Sequence, residues 1–177
     1  MWRLVLWAAA CLLWLSPAYA LQATRDSDCD SFAVHLAASA PFWDIQCDGD
    51  GSHEFIQAFG EHESILVVSH DMAGHRHYLV RVQPKDITTW LDSFGTIKEW
   101  NDGTESHGFS VGTFRGVLKK EPGSSVSCFT FVRYSGHVPQ TTGYRHAVWG
   151  FYCDAGPATV PDSRIDELLG SIESDFD

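Results

Sequence analysis

Val126-Ser127-Cys128-Phe129-Thr130-Phe131-Val132-Arg133-Tyr134 and Tyr144-Arg145-His146-Ala147-Val148-Trp149-Gly150-Phe151-Tyr152 are the runs whose reading decides the fold. Both are rich in aromatic and β-branched residues, and the segment between them, Ser135 to Gly143, carries glycine and proline. That pattern reads as two strands joined by a loop, and pairing them would bring Cys128 beside Cys153. A third strand is expected from Phe109 to Leu118. Further upstream, Ile65-Leu66-Val67-Val68 reads as a strand and Asp71-Met72-Ala73-Gly74 as a turn. His77-Tyr78-Leu79-Val80-Arg81-Val82 then reads as the returning strand of a hairpin covered on both faces.

Helices are expected in four places. Asp30 has the chemistry of an N-cap for a helix from Ser31 to Ser39, ended by Pro41. A second spans Ser52 to Phe59. A third starts at Pro84, carries Ile87, Trp90, Leu91 and Phe94 on one face, and stops at Gly95. The last runs from Asp162, with Ile165, Leu168, Leu169 and Ile172 apolar and Ser163 and Asp166 at capping-box spacing. Asn101-Asp102-Gly103 reads as a turn in a polar loop. Helices mixed with hairpins, without regular strand–helix alternation, imply an α+β single domain over 21–177, with an antiparallel sheet of about five strands and flanking helices.

The first residues fit export. Arg3 precedes an apolar run from Leu4 to Leu15, Ser16-Pro17 breaks it, and Ala18-Tyr19-Ala20 offers small residues at a cleavage site. Residues 1–20 therefore read as a cleavable signal peptide. The run is shorter than the ~20 apolar residues that span a bilayer, so no membrane anchor is expected after cleavage. The expected destination is the periplasm or the extracellular space. Cleavage removes Cys11, which turns five cysteines into four: Cys29, Cys47, Cys128 and Cys153. An even number in an exported chain points to disulfides, and four cysteines allow three connectivities. Spacing favours Cys29–Cys47 and Cys128–Cys153, each closing a local loop. No C-x-x-C occurs, which speaks against a thiol oxidoreductase and a zinc knuckle.

Charge narrows the partners. The whole sequence has 12 Lys and Arg against 23 Asp and Glu. Without Arg3 this becomes 11 against 23, a net charge of −12. So acidic a chain is not expected to bind nucleic acid or anionic membranes.

Three constellations bear on chemistry. His70, His75 and His77 would converge if Asp71 to Gly74 were a tight turn, and three neutral imidazoles would suit Zn²⁺ or Cu²⁺. No other cofactor is expected. Gly108-Phe109-Ser110-Val111-Gly112 matches G-x-S-x-G, with His107 nearby, but a nucleophile elbow needs a strand before the serine and a helix after it. His53-Glu54 and Glu61-His62-Glu63 resemble zinc-protease motifs, yet Gln57 and Ala58 stand where histidines are required. Trp43 and Trp100 adjoin loops and are expected to be exposed, while Trp90 and Trp149 read as core. Arg133, Tyr134, Arg145 and His146 could make one partly basic face. The leading expectation is a non-catalytic binding or interaction protein with a protein or small-molecule ligand. A metal-binding protein and an unrecognised hydrolase follow it.

Overall fold

The computed structural model describes residues 24–25, 27–50, 52–90, 94–119, 121–155 and 159–176, so residues 1–20, expected to be a signal peptide, lie outside the described residues. Seven antiparallel strands form the main sheet: β3 (Phe42–Gly49), β4 (His53–Gly60), β5 (Ile65–Met72), β6 (Phe94–Ser106), β7 (Phe109–Leu118), β8 (Glu121–His137) and β9 (Tyr144–Asp154). They lie in the order β3-β4-β5-β9-β8-β7-β6, and β1 (Thr24–Arg25) pairs in parallel on the outside of β3. A second, two-stranded sheet joins β2 (Val34–Leu36) to β10 (Ile172–Ser174). Among the described residues there are two α-helices, α1 (Pro84–Ile87) and α2 (Asp162–Gly170).

The expectation of an antiparallel sheet with flanking helices and two disulfides holds, but the molecule is richer in strand than an α+β reading with about five strands allows. The cause is local. In β4, Glu54, Ile56 and Ala58 are buried and point one way. That period of two wins over the helix expected from Ser52 to Phe59, because β3 and β5 pair along both edges of the segment. The helix expected from Ser31 to Ser39 is absent too: a 3-10 turn at Ser27–Ser31 leads into β2. After Pro84 only one helical turn forms. Thr88 and Thr89 direct their hydroxyls to the carbonyls of Lys85 and Asp86, and a 3-10 turn follows at Thr88–Trp90. Asn101–Gly103 belongs to β6, whose register shifts beside these residues, not to a loop.

The hairpin expected around Asp71–Gly74 does not form. β5 continues through Asp71 to Met72 and pairs with β4 on one side and β9 on the other. The chain from Ala73 to Gln83 leaves the sheet as a loop and returns to β9 at the Leu79–Tyr144 bridge.

Both disulfides follow the spacing, Cys29–Cys47 and Cys128–Cys153. The second joins residues directly opposite on β8 and β9, with Cα atoms 4.2 Å apart. On the sheet's first face, Leu66, Val68, Phe109, Phe129, Phe131 and Tyr152 pack with β2, β10 and the buried side of α2. On the second face, Phe114, Val126, Cys128 and Cys153 form a smaller cluster. The α1 segment closes part of that face, where Ile87 is buried and the Thr130 hydroxyl donates to the Pro84 carbonyl.

Candidate functional site

Strand pairing brings Glu54, His70 and His146 together on the first face, from β4, β5 and β9. The Glu54 carboxylate accepts the backbone N–H groups of Ala33 and Val34 at 2.9 and 3.3 Å. Its Oε2 also lies 2.8 Å from His70 Nδ1, and His70 Nε2 lies 3.1 Å from His146 Nδ1. Glu54 and His70 are buried. A buried carboxylate survives only when it is paired and hydrogen-bonded, which this one is. Phe176 closes the row, stacking on His146 at 4.3 Å and on His70 at 4.7 Å.

The opposite face carries a different set. Asp71 pairs with His53 through one carboxylate oxygen and accepts the Trp149 indole N–H at 2.7 Å through the other. Asp50 accepts the Ser52 hydroxyl at 2.8 Å and the backbone N–H groups of Ser52 and His53. Those bonds hold its carboxyl below the ordinary range, the Ser52 hydroxyl contributing most.

The structure does not bring His70, His75 and His77 together. Both ring nitrogens of His70 are engaged inside the sheet, whereas His75 and His77 are exposed on the 73–83 loop. Among the described residues no group of three or more His, Cys, Asp or Glu is placed to hold a metal ion. Ser110 sits within β7 with no helix after it, and lines a second-face groove of about 510 Å³ with Pro84, Asp86 and Glu105. His107 is at the β6–β7 turn, where it and Gly108 have positive φ of 48° and 74°. Its ring rests on Gly170 of α2, on the first face, so the sheet separates it from Ser110.

Of the tryptophans, Trp43 is 41% exposed, Trp100 stacks on Phe114, and Trp149 is partly buried; the Trp90 side chain lies outside the described residues. Trp43 borders a cleft of about 620 Å³ with His62, Asp154 and Arg164. Burial opposes the Arg164 cation there, but the Glu167 carboxylate and the Tyr152 hydroxyl outweigh it and raise its affinity for the proton.

Among the described residues, the remaining large exposed apolar side chains gather at the start of β9. Met72 is 44% exposed, Tyr78 48% and Val80 66%. Tyr78 lies across Gly143, where a Cβ would sit only 2.1 Å from the Tyr78 ring. Leu79 bridges to Tyr144, and Arg145 donates to the carbonyls of Gly74 and His77 at 3.1 and 3.2 Å. The Val82 N–H donates to the Tyr134 hydroxyl at 2.8 Å, and Arg81 lies 6.0 Å above the Tyr134 ring. Burial pushes the Tyr134 hydroxyl above its ordinary pKa, although the Val82 N–H and Arg81 oppose it. Loop and hairpin turn thus form one lobe, with His75, Arg76, His77, Arg81 and His137 exposed on it.

The sequence reading missed the Glu54–His70–His146 row and the 73–83 part of the lobe; of the partly basic face expected from Arg133, Tyr134, Arg145 and His146, only Tyr134 and Arg145 join the lobe, while Arg133 and His146 turn to the first face. The signal for the first was the alternation of Glu54, Ile56 and Ala58, which puts Glu54 on the buried face once the segment is read as a strand. Comparison with family models, curated proteins and solved structures finds no match to the chain.

Proposed function

We propose that the chain is a single exported domain that acts by binding a partner and not by catalysis, through the lobe built from the 73–83 loop and the β8–β9 turn. The observation that carries this reading is the exposure of Met72, Tyr78 and Val80 around one strand end, on backbone pinned by Arg145. Exposed apolar side chains grouped on a fixed surface and rimmed by polar groups mark interaction sites. Release to the periplasm or the extracellular space belongs to the same reading. It is supported by the two disulfides and by the absence, among the described residues, of a helix long and apolar enough to cross a membrane.

Amide chemical shifts recorded while panels of short acidic, basic and neutral peptides are added test the reading. Perturbations at 74–82 and 136–146 are expected from at least one panel. Perturbations confined to the Trp43 cleft, or none at all, would overturn it.

A further inference from the structure

The composition of the lobe says more about its partner. From Met72 to Lys85 and from Arg133 to Cys153 the sequence holds no Asp or Glu. All 23 carboxylate residues lie elsewhere, while these two stretches hold five of the 12 Lys and Arg: Arg76, Arg81, Lys85, Arg133 and Arg145. The remaining sequence therefore carries 7 basic against 23 acidic residues, a net −16 against +5 for the two stretches. Folding joins the stretches through the Leu79–Tyr144 bridge, the Arg145 bonds and the Val82–Tyr134 bond. The adjoining carboxylates are already occupied, Asp71 by His53 and Trp149, and Asp86 by the Gln83 N–H. Arg133 turns to the first face, over Phe109, and does not add to the lobe.

Resting on the reading of the lobe as the contact surface, we infer that its partner is an acidic protein segment. Charge complementarity supplies the sign, since an anionic chain is drawn to the two acid-free stretches and repelled by the net negative charge of the remaining sequence. The exposed Tyr78 and Val80 supply the class. Arginine and tyrosine beside an aliphatic side chain are the composition of a protein interface, and Val80 would give a sulfated sugar polymer nothing to contact.

The probe is a random copolymer of glutamate and tyrosine, with dextran sulfate as the non-protein polyanion, both followed by fluorescence anisotropy at low salt. The copolymer is expected to bind, and Arg76→Glu with Arg81→Glu to weaken it by about tenfold or more, while thermal melting shows that the variant is folded. Val80→Ser is expected to weaken the copolymer several-fold and leave dextran sulfate unchanged. No binding of the copolymer would overturn the inference. So would equal binding of both polymers with neither affected by Val80→Ser, because a surface that reads charge alone has no preference for protein. If neutral peptides perturb the lobe as strongly as acidic ones, the contact surface stands and the acidic partner falls. If no peptide reaches the lobe, the contact surface itself falls.

Discussion

Glu54 shows how one side chain ties three elements together. Its carboxylate holds the start of β2 through two backbone N–H groups and orients His70 on β5. Glu54→Gln keeps the shape but sets an amide NH₂ among groups that all donate. A loss of about 3 kcal/mol is expected in urea unfolding, in line with breaking a buried charged pair. A change below about 0.5 kcal/mol, the size of a surface substitution, would show that the row carries no weight. Because both nitrogens of His70 are engaged, Zn²⁺ is expected to bind the unmodified protein and His75→Ala equally weakly in a calorimetric titration. A clear loss in His75→Ala would restore the metal reading.

Tyr134 gives an alkaline prediction. Its hydroxyl pKa is raised by burial, so the native state holds this proton more tightly than the unfolded chain does. That contribution is present below the ordinary tyrosine value and is lost as pH rises through and beyond it. Tyr134→Phe should flatten this part of the alkaline stability curve, and an unchanged curve would contradict the assignment. None of these residue roles could be read from the sequence. Each depends on strand register, and a shift of one residue moves every side chain to the other face.

At the scale of elements, the strands easiest to read were those with long apolar and aromatic runs. β7 matches its expected span from Phe109 to Leu118, and β8 and β9 contain the expected spans. Helix α2 begins at Asp162 as its apolar spacing implied, although Pro161 takes the N-cap place and Ile172 passes into β10. A misread element was the short polar–apolar mixture His53–Gly60, whose local preference is weak and whose conformation is set by the strands that pair along both of its edges. The same dependence on partners governs β10. It is held by β2, by the Asp175 N–H to the Ala33 carbonyl, by Ser174 to Arg133, by Glu173 to His35, and by Phe176 on the two imidazoles. Phe176 stacks on both imidazoles, so removing the His146 ring takes away one of the two contacts that hold the tail. The Asp175 amide, bonded to the Ala33 carbonyl, should lose hydrogen-exchange protection in His146→Ala. Constant protection would separate the tail from the histidines. Gly143→Ala would drive a methyl group into the Tyr78 ring, so it should weaken copolymer binding without greatly lowering the melting temperature.

Across the whole molecule, the net charge concealed the feature that matters most here. A chain of −11 reads as acidic overall, and on that ground nucleic acid and anionic membranes were not expected as partners. The two acid-free stretches are far apart in sequence, and only the placement of the 73–83 loop against β9 makes them one surface. The cysteine framework, by contrast, was legible because each bridge closes a local loop. Charge segregation is tested most directly by cation-exchange chromatography near neutral pH, where a protein of pI ≈ 5.1 should pass straight through. The lobe predicts retention of the signal-free protein at low salt, release as salt rises toward about 0.1 M, where the Debye length falls to about 10 Å, and no retention of the Arg76→Glu, Arg81→Glu variant. Passage of the unmodified protein at the lowest salt would contradict the cationic lobe and the binding role built on it.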